Sequence, residues 1–229
     1  VNIRLYLSQA NQAHNAGPGG YREREGMEAI SKATAAVFAK DSRFTVKRNS
    51  ATGIDTAQAN CDAANAWGAD YYVALHSNAG MKGTITFHHS GSPKGKKLAM
   101  ALQAAIAPLS PGAEGPGRVQ ARDGFIEIHR PIAPAVLIEL EAHDWKAGVG
   151  WLTGKVPEIA RALYEGICKG VGLVPLGATV KFDYRPLKVE AIKAADALKI
   201  PHSGVDPAAS GKGLPFESLL RAIADHSPD

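Results

Sequence analysis

Three short stretches of this chain carry residue types that can do chemistry. The first is Ala74-Leu75-His76-Ser77-Asn78-Ala79-Gly80, where a polar cluster follows an apolar run directly. An imidazole at the end of a buried strand stands where α/β folds build their sites, although a histidine there can also simply cap the strand. The second is Pro134-Ala135-Val136-Leu137-Ile138-Glu139-Leu140-Glu141. An acid inside an apolar run costs free energy unless it is paired or functional. Strict alternation would put Glu139 and Glu141 on one face and Leu140 on the other; an edge glutamate in a salt bridge is the plainer alternative. The third is the loop Asn11-Gln12-Ala13-His14-Asn15, followed by glycines 17, 19 and 20 and then Tyr21-Arg22-Glu23-Arg24-Glu25. A histidine and a glutamate delivered from this loop can meet His76 over neighbouring strand ends. Two histidines and one carboxylate leave a fourth position for water, which is the ligand set of a catalytic zinc site rather than a structural one.

Such residues need a scaffold that brings loops together, and the periodicity supplies one. Ile3 to Leu7, Phe44 to Lys47, Tyr71 to His76, Thr84 to His88, Phe125 to Ile128 and Ala135 to Leu140 read as strands. Between them, Glu25 to Lys40, Thr56 to Trp67, Lys94 to Ala107 and Pro157 to Val171 read as helices, the second capped by Asp55 or Thr56. The stretch from Leu109 to Gly124, rich in Pro and Gly, reads as an irregular loop. Alternating β and α units predict an α/β fold: an open, mostly parallel twisted sheet with helices on both faces. Ligands bind such sheets at the carboxyl ends of the strands. After Val174 the texture changes, so we expect a catalytic domain over 1–174. A linker and small helical C-terminal extension over 175–229 follows, with helix-like runs at about Leu187 to Leu198 and Phe216 to Ala224.

Composition narrows the function classes. The 229 residues are 45% hydrophobic and 21% charged, ordinary for a globular chain. No apolar run approaches the length of a membrane span, and the first residues read as a strand rather than a signal peptide, so a signal is expected to have been cut or never used. The tail balances seven basic against seven acidic residues, so the net charge of +4 belongs to the first part. That mild excess favours anionic surroundings, such as nucleic acid or an anionic cell wall, and decides nothing alone; no nucleic-acid partner is expected. Cys61 and Cys168 fall in helix-like segments, have no CxxC partner, and are expected to be small buried hydrophobes. The Gly91-Ser92-Pro93-Lys94-Gly95 stretch has the wrong glycine spacing for a phosphate-binding loop. His88 and His89 are expected at a solvated strand end, His129 and His143 in supporting roles, and His202 and His226 on the surface of the tail.

The order and spacing of these motifs resemble the zinc-dependent N-acetylmuramoyl-L-alanine amidases of the Amidase_3 family, from about Ile3 to Gly172. The residues that carry the likeness are His14, the glutamate at the start of the first helix, Ala59-Asn60, Gly68-Ala69-Asp70, the His76-Ser77-Asn78-Ala79 box and Pro134 to Glu139. The resemblance implies zinc held by His14, by Glu23 or Glu25, and by His76, with Glu139 as the catalytic base and Asn78 beside the substrate. Helical phase favours Glu23, which lies four residues before Met27 and seven before Ile30 on the buried stripe; Glu25 is turned by roughly 200° from it. Two departures stand out. Many members carry Asp-Pro-Gly-His-Gly-Gly where this chain has Ser8-Gln9-Ala10-Asn11-Gln12-Ala13-His14, and a frequent Thr-Arg appears here as Lys47-Arg48.

What the resemblance implies is hydrolysis of the amide between N-acetylmuramic acid and L-alanine in peptidoglycan. The alternatives are a wall-binding module without catalysis and a zinc peptidase acting on the stem peptide. A monomer is expected, acting on the bacterial cell wall. A secreted enzyme fits that setting, and so does a phage endolysin released from the host cytoplasm.

Overall fold

The structure, a computed structural model, describes residues 2–12, 14–49, 56–112 and 118–177. Asp55 and the expected tail elements, with His202 and His226, lie outside the described residues. Among the described residues, six strands form one sheet in the order β2-β1-β3-β6-β4-β5: β1 Ile3–Gln9, β2 Phe44–Arg48, β3 Tyr71–Asn78, β4 Ile85–His88, β5 Val119–Ala121 and β6 Ala135–Ala142. β2, β1, β3 and β6 run parallel, while β4 pairs antiparallel with β6 and parallel with β5. The reversal follows from the connection after β3. Residues 79–84 are too few for a helical crossover, and Gly80 and Gly83 turn it with φ of 78° and 85°.

Among the described residues, six α-helices cover the sheet: α1 Glu23–Phe38, α2 Ala57–Trp67, α3 Pro93–Ile106, α4 Ile126–His129, α5 Lys146–Gly154 and α6 Val156–Gly170. Strand alternation divides the core in two. Leu5, Leu7, Val73, Leu75, Val136 and Ile138 pack with Met27, Leu98 and Leu163 from α1, α3 and α6. On the other face Tyr6, Tyr72, Ala74 and Leu137 pack with Cys61 of α2 and Ile128 of α4. Both cysteines are free and buried. α2 begins where the sequence puts a cap: Thr56 Oγ1 accepts the Ala59 N–H at 3.1 Å.

Three local expectations are corrected. Val119–Ala121, inside the stretch read as an irregular loop, pairs with β4 as a short edge strand. Lys146–Gly154 forms a helix that the periodicity did not single out. Phe125 to Ile128, expected as a strand, is the single helical turn α4. The reason is visible in burial: Glu127 and its neighbour Ile128 both face inward, at 6% and 2% exposure. Adjacent side chains of a strand point to opposite faces, so only a turn can bury both on one side.

The chain leaves β1 for β2 on one side, and β3 joins β1 on the other. A crevice therefore opens between the carboxyl ends of β1 and β3, the place where open α/β sheets take ligands.

Candidate functional site

His76 stands in that crevice, near the end of β3 and 9% exposed. It lies on the α2/α4 face with Tyr72 and Ala74, and its register partner on β6 is Glu139. Glu23 opens α1 and is 1% exposed, whereas Glu25 is exposed and reaches Arg22 at 4.0 Å. The helical phase therefore puts Glu23 against the sheet and Glu25 in solvent. Glu23 Oε1 accepts the Ser77 N–H at 2.8 Å and lies 3.4 Å from His76 Nδ1. Its other oxygen accepts from Asn15 Nδ2 at 2.5 Å. The far side of the ring is held as well: His76 Nε2 is 2.8 Å from Glu127 Oε2.

Glu127 was missed in the sequence because its segment reads as a strand. The signal was present: Phe125-Ile126-Glu127-Ile128 is an acid inside an apolar run, the same pattern that marks Glu139. Its second oxygen accepts hydroxyl hydrogens from Ser8 and Tyr72, each at 2.6 Å. The end of β1 is fixed too. Asn49 bonds both backbone groups of Gln9, and the Gln9 side chain meets Arg48 and Glu28.

The electrostatics follow from this packing. Burial alone would push His76 down, but its hydrogen bonds to the Glu127 and Glu23 carboxylates carry it well above the ordinary value. Burial opposes ionisation of Glu23 and Glu127, yet hydrogen bonds with His76 hold both below the usual carboxylate range. Glu139 is the opposite case. Burial pushes it up to about 7, and the charges of Glu23 and Glu127 add to that while His76 opposes it. Its Oε2 is buried with no hydrogen-bond partner.

Not every expected residue converges. Glu23, His76 and Glu139 gather around the crevice, whereas His14 is exposed on the β1 loop. Asn78 ends β3 half-buried, and its carbonyl accepts the His143 N–H at 2.8 Å. His143 is buried against Tyr21, and its Nδ1 lies 2.8 Å from the Ser77 carbonyl, a supporting position. His88, expected at a solvated strand end, is buried at 6% exposure. Among the described residues, no three His, Cys, Asp or Glu side chains form a metal-holding group.

A metal fits part of this set. Two donors on one tetrahedral zinc, with bonds of about 2.1 Å, lie about 3.4 Å apart, and Glu23 Oε1 and His76 Nδ1 have that separation. A hollow of about 130 Å³ adjoins His76 and Glu127, bounded by Gln9, Gln12, Thr56 and Asn60. The β1 loop, which includes His14, edges this space.

A family model described as N-acetylmuramoyl-L-alanine amidase, Amidase_3, matches residues 9–169. A sequence search of curated proteins finds no significant match. Among solved structures, the N-acetylmuramoyl-L-alanine amidase AmiC2 of Nostoc punctiforme is similar at a TM-score of 0.66 and 16% identity, over 74% of this chain and 97% of that one. The catalytic domain of the amidase CwlV from Bacillus (Paenibacillus) polymyxa var. colistinus gives 0.64 and 15%, over 75% and 99%. The catalytic domain of the CD27L endolysin, which targets Clostridia difficile, gives 0.61 and 17%, over 73% and 97%. At these identities the structural likeness establishes the fold.

Proposed function

We propose that this chain, which belongs to the Amidase_3 family of N-acetylmuramoyl-L-alanine amidases, cleaves the amide between N-acetylmuramic acid and L-alanine in peptidoglycan with the help of one zinc ion. Glu23 and His76 would hold the metal, with His14 supplied from the β1 loop. Bound there, zinc polarises a carbonyl and lowers the pKa of water, which supplies a nucleophile at neutral pH. Glu139 takes a proton from the attacking water and returns it to the departing L-alanine nitrogen as the C–N bond breaks. Asn78, at the rim, orients the substrate.

The observation that carries this reading is Glu139 itself. Its unpartnered Oε2 is buried in the same strand row as His76, where it is free to accept a proton from water and return it. A purely structural carboxylate would be satisfied by donors. A monomer acting on the wall fits the site, whether the protein is secreted or freed by a phage lysis system. The segment 175–229 then serves wall targeting or packing rather than bond cleavage.

Digestion of purified peptidoglycan tests the proposal. Free L-alanine amino groups, with glycan and peptides otherwise intact, are expected, together with about one zinc per chain and loss of activity on chelation. Cleavage within the stem peptide would make the protein a peptidase. Binding without cleavage would make it a wall-binding module.

A further inference from the structure

We propose that Glu127 is a positioning residue which holds the His76 imidazole as its Nε2–H tautomer, so that Nδ1 presents its lone pair beside Glu23. This rests on the reading of Glu23 and His76 as metal ligands and adds to it a residue that the family likeness did not point to. The argument begins with the donor inventory around Glu127. Ser8 and Tyr72 both place hydroxyls 2.6 Å from Oε1. Tyr72 is fully buried, and its hydroxyl also lies 3.7 Å from Cys61 Sγ, where the thiol donates to it. With that contact accepting, the hydroxyl hydrogen goes to Glu127. Oε1 is thus filled by donors, and Oε2 is left for His76 Nε2 at 2.8 Å.

A carboxylate is acceptor-only, so Nε2 must carry the hydrogen. The remaining nitrogen, Nδ1, faces Glu23 Oε1 at 3.4 Å; a proton bridges that pair in the metal-free protein, and it is the proton that a metal would displace. Histidines that bind metals through one nitrogen generally donate the other N–H to a carboxylate, which fixes the tautomer and the ring plane. The placement also explains why α4 is a helical turn. Only that geometry lets Glu127 reach Ser8, Tyr72 and His76, on β1 and β3, while Ile128 stays in the core.

Glu127→Gln keeps the size of the side chain but substitutes an amide that can donate to Nε2, so the alternative Nδ1–H tautomer becomes available. Zinc alone is the probe, titrated against a competing chelator. We expect Glu127→Gln to fold and to lose about 10- to 100-fold in zinc affinity, the usual cost of removing such an outer partner. Nitrogen-15 NMR of the metal-free protein, recorded at a pH high enough to leave His76 neutral, should show the Nε2–H form in the parent and a mixed or inverted tautomer in the variant. Tyr72→Phe removes one hydroxyl from the same carboxylate and leaves its bond to His76. It should lose stability while its zinc affinity stays within a few-fold of the parent.

Unchanged zinc affinity and an unchanged tautomer in folded Glu127→Gln would overturn the proposal. So would an equal affinity loss in Tyr72→Phe at matched stability, since the effect would then be structural. If the parent binds no zinc, the metal reading fails, and the tautomer measurement still decides what Glu127 does. A neutral ring in the Nδ1–H form in the metal-free parent would refute the positioning role by itself.

Discussion

Two carboxylates on β6, two residues apart, are treated in opposite ways by the fold. Glu141 is fully buried and saturated: it accepts the N–H groups of Gly83 at 2.6 Å, Ala142 at 2.8 Å and Gly112 at 3.0 Å, together with the Ser110 hydroxyl. Glu139 shares a register position with His76 and keeps one oxygen without any donor. The same chemical group is saturated with donors in one place and left with a free oxygen in the other. Charge-assisted hydrogen bonds compensate for burying Glu141, whereas an uncompensated carboxylate stays easy to protonate. The register between β3 and β6 explains the split. His76 faces Glu139, but Asn78 faces Ala142, so β6 carries one extra residue between those pairs. That bulge breaks strict alternation and sends Glu141 into the loops around Gly83 and Gly112.

The contrast can be broken most sharply at Glu139. Glu139→Gln is expected to lower turnover about 100- to 10,000-fold, the usual contribution of a general base, with zinc content and circular dichroism unchanged. Glu141→Gln should retain the turnover of the parent per folded molecule. If those two outcomes are exchanged in a muropeptide assay, the assignment of the two carboxylates is reversed.

The metal side gives the next effect. His76→Ala should abolish stoichiometric zinc binding, measured by metal analysis after gel filtration. His14→Ala separates the ligand read from the sequence from a bystander on the loop. A loss of affinity as complete as that of His76→Ala makes it a ligand, and parent-like affinity removes it from the set.

Stability should invert the ranking of the two carboxylates. Glu141→Gln leaves buried N–H and hydroxyl donors facing an amide that competes with them. We expect a loss of about 1–3 kcal/mol in denaturant unfolding. Glu139→Gln should do the reverse in chelated protein. The folded group titrates near 7 against an ordinary 4.5, so its protonated form favours folding below 4.5. That advantage is lost as pH rises through 7. At pH 8 the Gln variant should therefore be more stable than the parent, by about 1–3 kcal/mol; at pH 4 the two should agree. Equal stability at pH 8 would mean that Glu139 is solvated or paired. In active enzyme a bound cation favours the carboxylate, so the acid limb of the rate profile should fall below 7.

The smallest effect lies outside this pair. A chain ending near residue 177 should cleave soluble muropeptide at close to the full rate and lose at most activity on intact walls. Loss of muropeptide cleavage by a folded truncation would place the tail in the active site.

The layered α/β architecture and the position of His76 were legible in the amino-acid sequence. A buried parallel strand needs a continuous apolar run, a surface helix needs a 3.6-residue stripe, and the polar cluster after Leu75 ends the run at the face where loops converge. The same periodicity picked Glu23 over Glu25 as the inward residue, since Met27 and Ile30 set the phase of α1. These are local rules, and each is written in consecutive residues. What only the tertiary structure decided was which polar groups meet. Glu127 lies 51 positions from His76 and 119 from Ser8, and its segment looks like a strand until its neighbours show that two adjacent side chains must be buried together. The division of labour between Glu139 and Glu141 depended on one extra residue in the pairing of β6 with β3. Hydrogen-bond satisfaction is a property of the partners that packing supplies, and no spacing along the chain encodes it.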